Sequence, residues 1–338
     1  MRQVWITRKG GPEVLEVREA QDPTPKEGEV RIRVRAAGVN FADVMARLGF
    51  YRDAPPLPCV VGYEVSGTVD AVGPGVISRK VGERVVTFTR FGGYSDVVCV
   101  PQDWPLPIAD ALSFSEAAAL PVQWVTAWHM IVFLGNLQKG QRLLVQAAAG
   151  GVGTAAIQIA KKIGAEIIGT ASAGKHARLK ELGLDHAIDY RNDDFEEEVK
   201  KITGGKGVDL ALDAVGGESF KKSYRSLKKT GKLIMFGASA MAPDGSGSIF
   251  PALKMAVQMP FFWAVSMLTA NKGVFGVNLG QLWEEKELLS SELQSVLDGV
   301  GRGDFKPIID LEVPFAEAGR AHARLQDRGN FGKVVLIP

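Results

Sequence analysis

The run AAAGGVG, Ala147–Gly153, has the residue types that a bound diphosphate needs. A pyrophosphate wants close backbone approach and free N–H groups, and a helix N-terminus offers both with a favourable dipole. Gly150 and Gly151 remove the Cβ atoms that would obstruct that approach, Val152 completes the loop, and Gly153 lets the helix pack tightly on its strand. The run lies between a short apolar segment, Leu143–Ala148, and a helical one, TAAIQIAKKIG. A glycine cluster alone is weak. A strand–loop–helix setting followed by further alternating elements makes it a dinucleotide site.

The end of the second strand, about 20 residues on, reads the adenosine ribose. An unphosphorylated ribose calls for an acidic side chain there. This tip instead reads Thr170, Ala171, Ser172, Ala173, Gly174, Lys175, and Glu166 lies at the opposite end of the strand. A hydroxyl plus a cation suits a 2′-phosphate, which a carboxylate would repel. NADPH is the expected cofactor, with Lys175 as an ordinary solvated lysine the alternative. In NFAD, Asn40 and Asp43 are three residues apart and can share a helical face, orienting water or substrate. They can equally cap the helix start.

The elements that must carry these residues come in two rhythms. In GEVRIRVRAAGVN, Val30, Ile32 and Val34 alternate with charged residues, the signal of a half-buried strand. Further short strands follow in YEVSGTVDAVG, ERVVTFT and YSDVVCV, bounded by Gly or Pro. A mainly β domain, barrel-like or sandwich-like, is expected over residues 1–122. From LLVQAA onward strands and helices alternate, through AEIIGTAS, KHARLKELG, HAIDY, FEEEVKKIT, VDLALDAVG, FKKSYRSL and KLIMFG to VFGVNLG. These uniformly apolar strands predict a doubly wound parallel sheet covered on both faces, the Rossmann class, over 123–280. Residues 281–338 are too few for an independent core. A helix at Glu284–Val300, a strand at Ile308–Val313, a helix at Glu317–Gln326 and a terminal VVLIP strand are expected to complete the first domain.

Composition narrows the function classes. At 338 residues, 46% apolar and 23% charged, the chain reads as globular rather than disordered. Forty Lys+Arg against thirty-eight Asp+Glu leave a net charge of +2, which gives no case for nucleic acid as a partner. Cys59 and Cys99, the two cysteines, are too few for a disulfide scaffold or a thiolate-rich metal lobe. His129, His176, His186 and His322 are scattered without ligand spacing. The N-terminal MRQVWITRKGGPE lacks an apolar stretch, so a cytoplasmic setting without a signal peptide is expected. In Ile249–Ala270, Pro251, Lys254, Gln258 and Pro260 interrupt the run that a membrane span of about 20 apolar residues requires. A helix packed on another subunit or over a pocket, or else a plain core helix pair, is expected there.

Taken together, AAGVNFADVMARLGFY, GYEVSGTVDAVGPGV, FGGYSDVVCVP, LPVQWVTAW, AAAGGVGTAAIQIAK, GTASAGKHARLKELGLDHAIDYR and FGKVVLIP resemble one family along the whole chain. It is the zinc-independent quinone oxidoreductase family of the medium-chain dehydrogenase/reductase superfamily. NFADVMAR and TASAGKH are most similar to its vesicle amine transport protein homologue branch. The resemblance implies a GroES-like catalytic domain made of both chain ends, an inserted nucleotide domain, an active-site cleft between them, and a homodimer through the Val274–Leu279 edge strand. It also implies that Ser172, Lys175 and Tyr190 surround the 2′-phosphate, with Arg328 reaching it from LQDRGNFGK. Thr126, Asn40 and Asn278 would lie near the nicotinamide. Tyr190 as a core aromatic and Arg328 as a solvated arginine remain the alternatives. Tyr51 falls where related enoyl-thioester reductases place a tyrosine proposed as proton donor, though it could instead be a loop-packing aromatic.

Zinc-dependent relatives have Cys where Asn40 stands and His where Tyr63 stands, so no metal is expected. A hydride acceptor that needs no metal is already electrophilic: a quinone or another α,β-unsaturated carbonyl. The expected enzyme is a metal-free, NADPH-dependent reductase of such small molecules. An enoyl-thioester reductase, or a non-enzymatic NADPH-binding or membrane-associated protein, is the alternative.

Overall fold

The computed structural model describes residues 1–241 and 249–338, with the side chains of Ile249, Pro251 and Ala252 left aside. In chain order the first part forms β1 (Arg2–Ile6), β2 (Leu15–Glu19), β3 (Glu29–Val39), α1 (Phe41–Leu48), β4 (Glu64–Val72), β5 (Arg84–Phe88), β6 (Val97–Pro101), β7 (Leu106–Pro107), α2 (Phe114–Ala118) and α3 (Pro121–Trp128). The middle forms β8 (Arg142–Val145), α4 (Gly151–Ile163), β9 (Glu166–Ala171), α5 (His176–Leu182), β10 (His186–Asp189), α6 (Phe195–Ile202), β11 (Val208–Asp213), α7 (Glu218–Arg225) and β12 (Leu227–Met235). It closes with α8 (Ile249–Gln258), α9 (Ala264–Ala270) and β13 (Gly273–Gly276). The tail adds α10 (Lys286–Gly301), β14 (Ile309–Pro314), α11 (Ala318–Gln326) and β15 (Lys333–Ile337).

The described residues form two compact units, one of residues 1–125 and 280–338, the other of 126–241 and 249–279. In the first, a seven-stranded sheet runs in the order β14-β15-β3-β4-β5-β7, with β6 also paired to β3. Strand β3 shows why it forms. Val30, Ile32 and Val34 face the core, while Arg31 points out to a bidentate pair with Asp70 (2.8 and 3.4 Å). The tail strand β15 lies antiparallel on β3, with Val334 opposite Val39, so both chain ends build one core.

The second unit is a six-stranded sheet in the order β10-β9-β8-β11-β12-β13, every pairing parallel. That order reverses between β8 and β11, the point beyond which doubly wound sheets bind nucleotides at the carboxyl ends of their strands. Leu143, Leu144, Ile167, Ile168, Leu210 and Leu212 are buried, as a two-sided sheet demands.

Some elements differ from the sequence reading. β8 stops at Val145 because Ala147 turns left-handed (φ 54°) at the start of the glycine loop. β12 begins at Leu227, through the Lys-rich KKTG that looked like a connection. The paired strands β1 and β2 were not foreseen. Residues 249–270 are not a core helix pair. Phe250 (76%), Val257 (79%), Phe261 (89%) and Leu268 (79%) stand exposed. Among the described residues, no helix is long and apolar enough to cross a membrane.

Candidate active site

The glycine loop begins at Ala147 and ends in α4, whose N-cap is Gly150 in an extended conformation. No side chain caps this helix and no acidic residue occupies its first turn, so the N–H dipoles face outward unopposed. A Cβ on Gly153 would meet the Ala148 carbonyl oxygen at 2.4 Å, so only glycine allows this turn to fold back on itself. Thr170 ties the loop to β9. Its hydroxyl donates to Gln146 Oε1 (2.7 Å) and accepts the Ala147 N–H (3.2 Å), while its carbonyl accepts the Ala148 N–H (2.9 Å). This cradle is what a dinucleotide diphosphate fits.

Three neighbouring strands then deliver the other candidates in a row. Gly150–Gly153 follow β8, Ser172 and Lys175 follow β9, and Tyr190 follows β10. Ser172 opens a short 3-10 turn that ends on Lys175, itself the N-cap of α5. Tyr190 is 38% exposed, so its ring does not close the core. Glu166 sits at the far end of β9, paired with Arg142 (2.6 Å) and His186 (3.0 Å). Thr126 is buried in α3, and Asn278 is exposed just beyond β13.

In the first unit, Asn40 is the extended N-cap of α1, and the Asp43 carboxylate accepts its backbone N–H at 2.8 Å. The other Asp43 oxygen accepts the Gly62 N–H at 3.2 Å, and the Tyr94 hydroxyl donates to Asp43 at 3.0 Å. Tyr94 is 3.2 Å from His322 Nε2. Gly62 adopts φ 103°, and a Cβ there would meet the Tyr94 ring at 2.6 Å. Asp43 is thus fully enclosed, and burial pushes its carboxyl up to about 7 against these donors and the Lys333 charge. Burial pushes His322 down to about 3, helped by the Arg47 charge. The Asn40 amide donates to Glu64 Oε1 (2.9 Å) and accepts from Lys333 Nζ (2.8 Å). Lys333 also pairs with Glu64, whose second oxygen accepts the Val122 N–H at 2.7 Å. Burial lowers the Lys333 ammonium and the Glu64 charge opposes that shift.

Tyr51 is half-buried, its ring edge-on to Tyr63 at 6.2 Å between centroids. Burial first, then the neighbouring Tyr51, raises the Tyr63 phenol, so its hydroxyl stays protonated near neutrality. Arg328 is exposed after α11 in a left-handed conformation (φ 54°). Among the described residues, no three His, Cys, Asp or Glu side chains cluster as metal ligands. At the zinc relatives' cysteine position stands Asn40, already hydrogen-bonded to the chain's own cation, Lys333.

Sequence reasoning missed Glu64, Lys333, Tyr94 and His322. A lysine inside the otherwise apolar FGKVVLIP was the visible signal, since strand-buried lysines are rare without a partner.

Comparison with known proteins agrees with this fold class. Residues 26–110 match the alcohol dehydrogenase GroES-like domain, and 151–291 match the zinc-binding dehydrogenase domain. The chain belongs to the quinone oxidoreductase-like family of the medium-chain dehydrogenase/reductase superfamily. It is 41% identical to the human synaptic vesicle membrane protein VAT-1 homolog, covering 100% of this chain and 86% of that one. It is 33% identical to a quinone oxidoreductase of Pseudomonas aeruginosa, covering 100% and 99%. The solved quinone oxidoreductase of Escherichia coli complexed with NADPH superposes with a TM-score of 0.88 at 31% identity, covering all of both chains.

Proposed function

We propose that the protein is an NADPH-dependent reductase of quinones and other α,β-unsaturated carbonyl compounds. The observation that carries this reading is the carboxylate-free tip of β9, with Ser172 and Lys175 beside an uncapped α4 N-terminus. The NADPH-bound quinone oxidoreductase relative supports it. In this reading Gly150, Gly151, Val152 and Gly153 receive the diphosphate, and Ser172, Lys175, Tyr190 and Arg328 receive the 2′-phosphate. Thr126 and Asn278 border the nicotinamide. Bound NADPH supplies a hydride.

The chain's own residues complete the reduction. The Tyr51 phenol donates a hydrogen bond to the acceptor oxygen and then its proton, so a quinone gaining hydride and proton becomes a hydroquinone. Solvent returns the proton to Tyr51. Asn40 orients the acceptor. Asp43 touches no acceptor and acts as a positioning residue, fixing the start of α1 that carries Asn40. The unit formed from both chain ends holds the acceptor, the inserted unit holds the cofactor, and two copies pair through β13, whose outer edge ends the sheet.

The test follows NADPH oxidation by purified protein with a quinone, an enone and an enoyl-CoA in separate reactions. Turnover of quinone and enone is expected. Turnover confined to the enoyl-CoA would establish the thioester alternative, and NADPH binding without any turnover would establish a non-enzymatic role.

A further inference from the structure

A cavity of about 440 Å³ opens in the first unit, within the range of ligand pockets. Its walls include Phe88, Phe91, Trp104, Trp283, Cys99 and Arg90. Trp283 comes from the tail segment after β13 and the others from the first hundred or so residues, so the fold assembles this wall from distant parts of the chain. The rings form a connected set. Trp283 lies 5.5 Å from Trp104 and 6.2 Å from Phe88, and Phe88 meets Trp104 edge-on at 6.0 Å.

The cavity is joined to the proton donor by two ring contacts. Trp283 stacks nearly parallel on Tyr63 (6.3 Å, 10°), and Tyr63 meets Tyr51. Phe91 packs on the same Tyr63 ring at 5.1 Å. Phe91, Trp104 and Trp283 keep part of their surface uncovered, while Phe88, Val98 and Val100 behind them are buried. Partly exposed aromatic faces on a buried backing favour a flat, electron-poor ring, whose stacking complements the negative faces of indole.

Charge on the wall is one-sided. Arg90 is exposed and forms no hydrogen bond or ion pair among the described residues, and no Asp or Glu lines the cavity. A guanidinium without a carboxylate partner, beside apolar rings, selects an anionic substituent. Cys99 lies in the same wall, its thiol directed to the Pro23 carbonyl at 3.9 Å. Burial and the Glu29 carboxylate hold its thiol up to about 11, so near neutrality it stays protonated and does not add to an electrophilic ring.

We propose that this cavity is the distal-ring subsite for the acceptor: it binds a planar aromatic ring bearing an anionic group, the ring against Trp283 and Trp104 and the anion at Arg90. The acceptors it favours are fused-ring or aryl-substituted carbonyl compounds carrying a sulfonate or carboxylate. This assignment rests on the reductase reading for its occupant, although binding can be measured without turnover.

The test is quenching of tryptophan fluorescence by anthraquinone-2-sulfonate and by the uncharged 2-(hydroxymethyl)anthraquinone, with no NADPH present. The wild-type protein is expected to bind the sulfonate about ten times more tightly than the alcohol. Arg90→Gln, at an exposed position, should remove that preference, and Trp283→Ala should weaken both probes about tenfold, with Trp283→Phe restoring most of the loss. Equal binding of the two probes, or a preference that survives Arg90→Gln, would overturn the proposal. So would a KM for anthraquinone-2-sulfonate that neither variant moves in an enzyme that turns it over. Selective binding with no NADPH oxidation on any acceptor would instead overturn the reductase reading and leave a binding site for aromatic anions.

Discussion

The Lys333 ammonium and the Glu64 carboxylate pair inside the first unit, their side chains 1% and 0% exposed, with the Asn40 amide bridging them. Each remaining acceptor of the group is occupied, down to the Val122 N–H on the second Glu64 oxygen. A charge pair this deep is held by its mutual satisfaction, and removing one member strands the other.

Lys333→Met therefore leaves Glu64 as a buried, unpaired charge. Denaturant unfolding is expected to show a loss of about 3–5 kcal/mol. The double variant Lys333→Met/Glu64→Gln should recover a large share of it, because no charge is then stranded. A single variant as stable as wild type would show that the pair is not closed to water.

Lys175→Ala tests the cofactor end. It should weaken NADPH by about 1–3 kcal/mol, the range for a charge-assisted hydrogen bond, and leave NADH nearly unchanged. Calorimetric titration with each nucleotide reads this directly. Equal losses for both would mean that Lys175 does not recognise the 2′-phosphate.

The buried His322 makes a pH prediction. Unfolded, it titrates near 6.5; folded, burial holds it neutral down to about 3. Between these values the unfolded chain binds the extra proton, so this residue's contribution to stability falls as pH drops below 6.5. Asp43 works in the opposite sense. Its carboxyl is held up at about 7, so the folded state keeps a proton that the unfolded chain releases above about 4, and stability falls as pH rises through that interval. His322→Gln keeps a hydrogen-bonding group for Tyr94 and removes only the first effect. The melting temperature of wild type minus that of the variant should decline steadily from pH 6.5 to pH 4. A flat difference would contradict a neutral buried imidazole.

The doubly wound unit was legible because its signals are local. Apolar runs such as Ile167–Ile168 and the AAAGGVG turn each report on a few adjacent residues. The same holds for Asn40 and Asp43, whose capping relation lies within one helical turn. What stayed hidden is non-local. Tyr94 and His322 are 228 positions apart, Asn40 and Lys333 are 293 apart, and no spacing rule joins them. Trp283 drew no attention in the sequence, yet the fold stacks it on Tyr63. For residues 249–270 the sequence left a core pair and an outward-packing helix both open, because composition reports how apolar a segment is and only packing reports which apolar side chains are covered.

The proposed reaction takes hydride from the phosphorylated nicotinamide and passes it to an electrophilic acceptor. Its most direct test compares kcat/KM for NADPH and NADH with one saturating quinone, 9,10-phenanthrenequinone, using the wild-type protein. A preference for NADPH of at least about tenfold, matching one charge-assisted contact, is the expected result. Equal use of the two nucleotides, a preference for NADH, or no oxidation of either would contradict it.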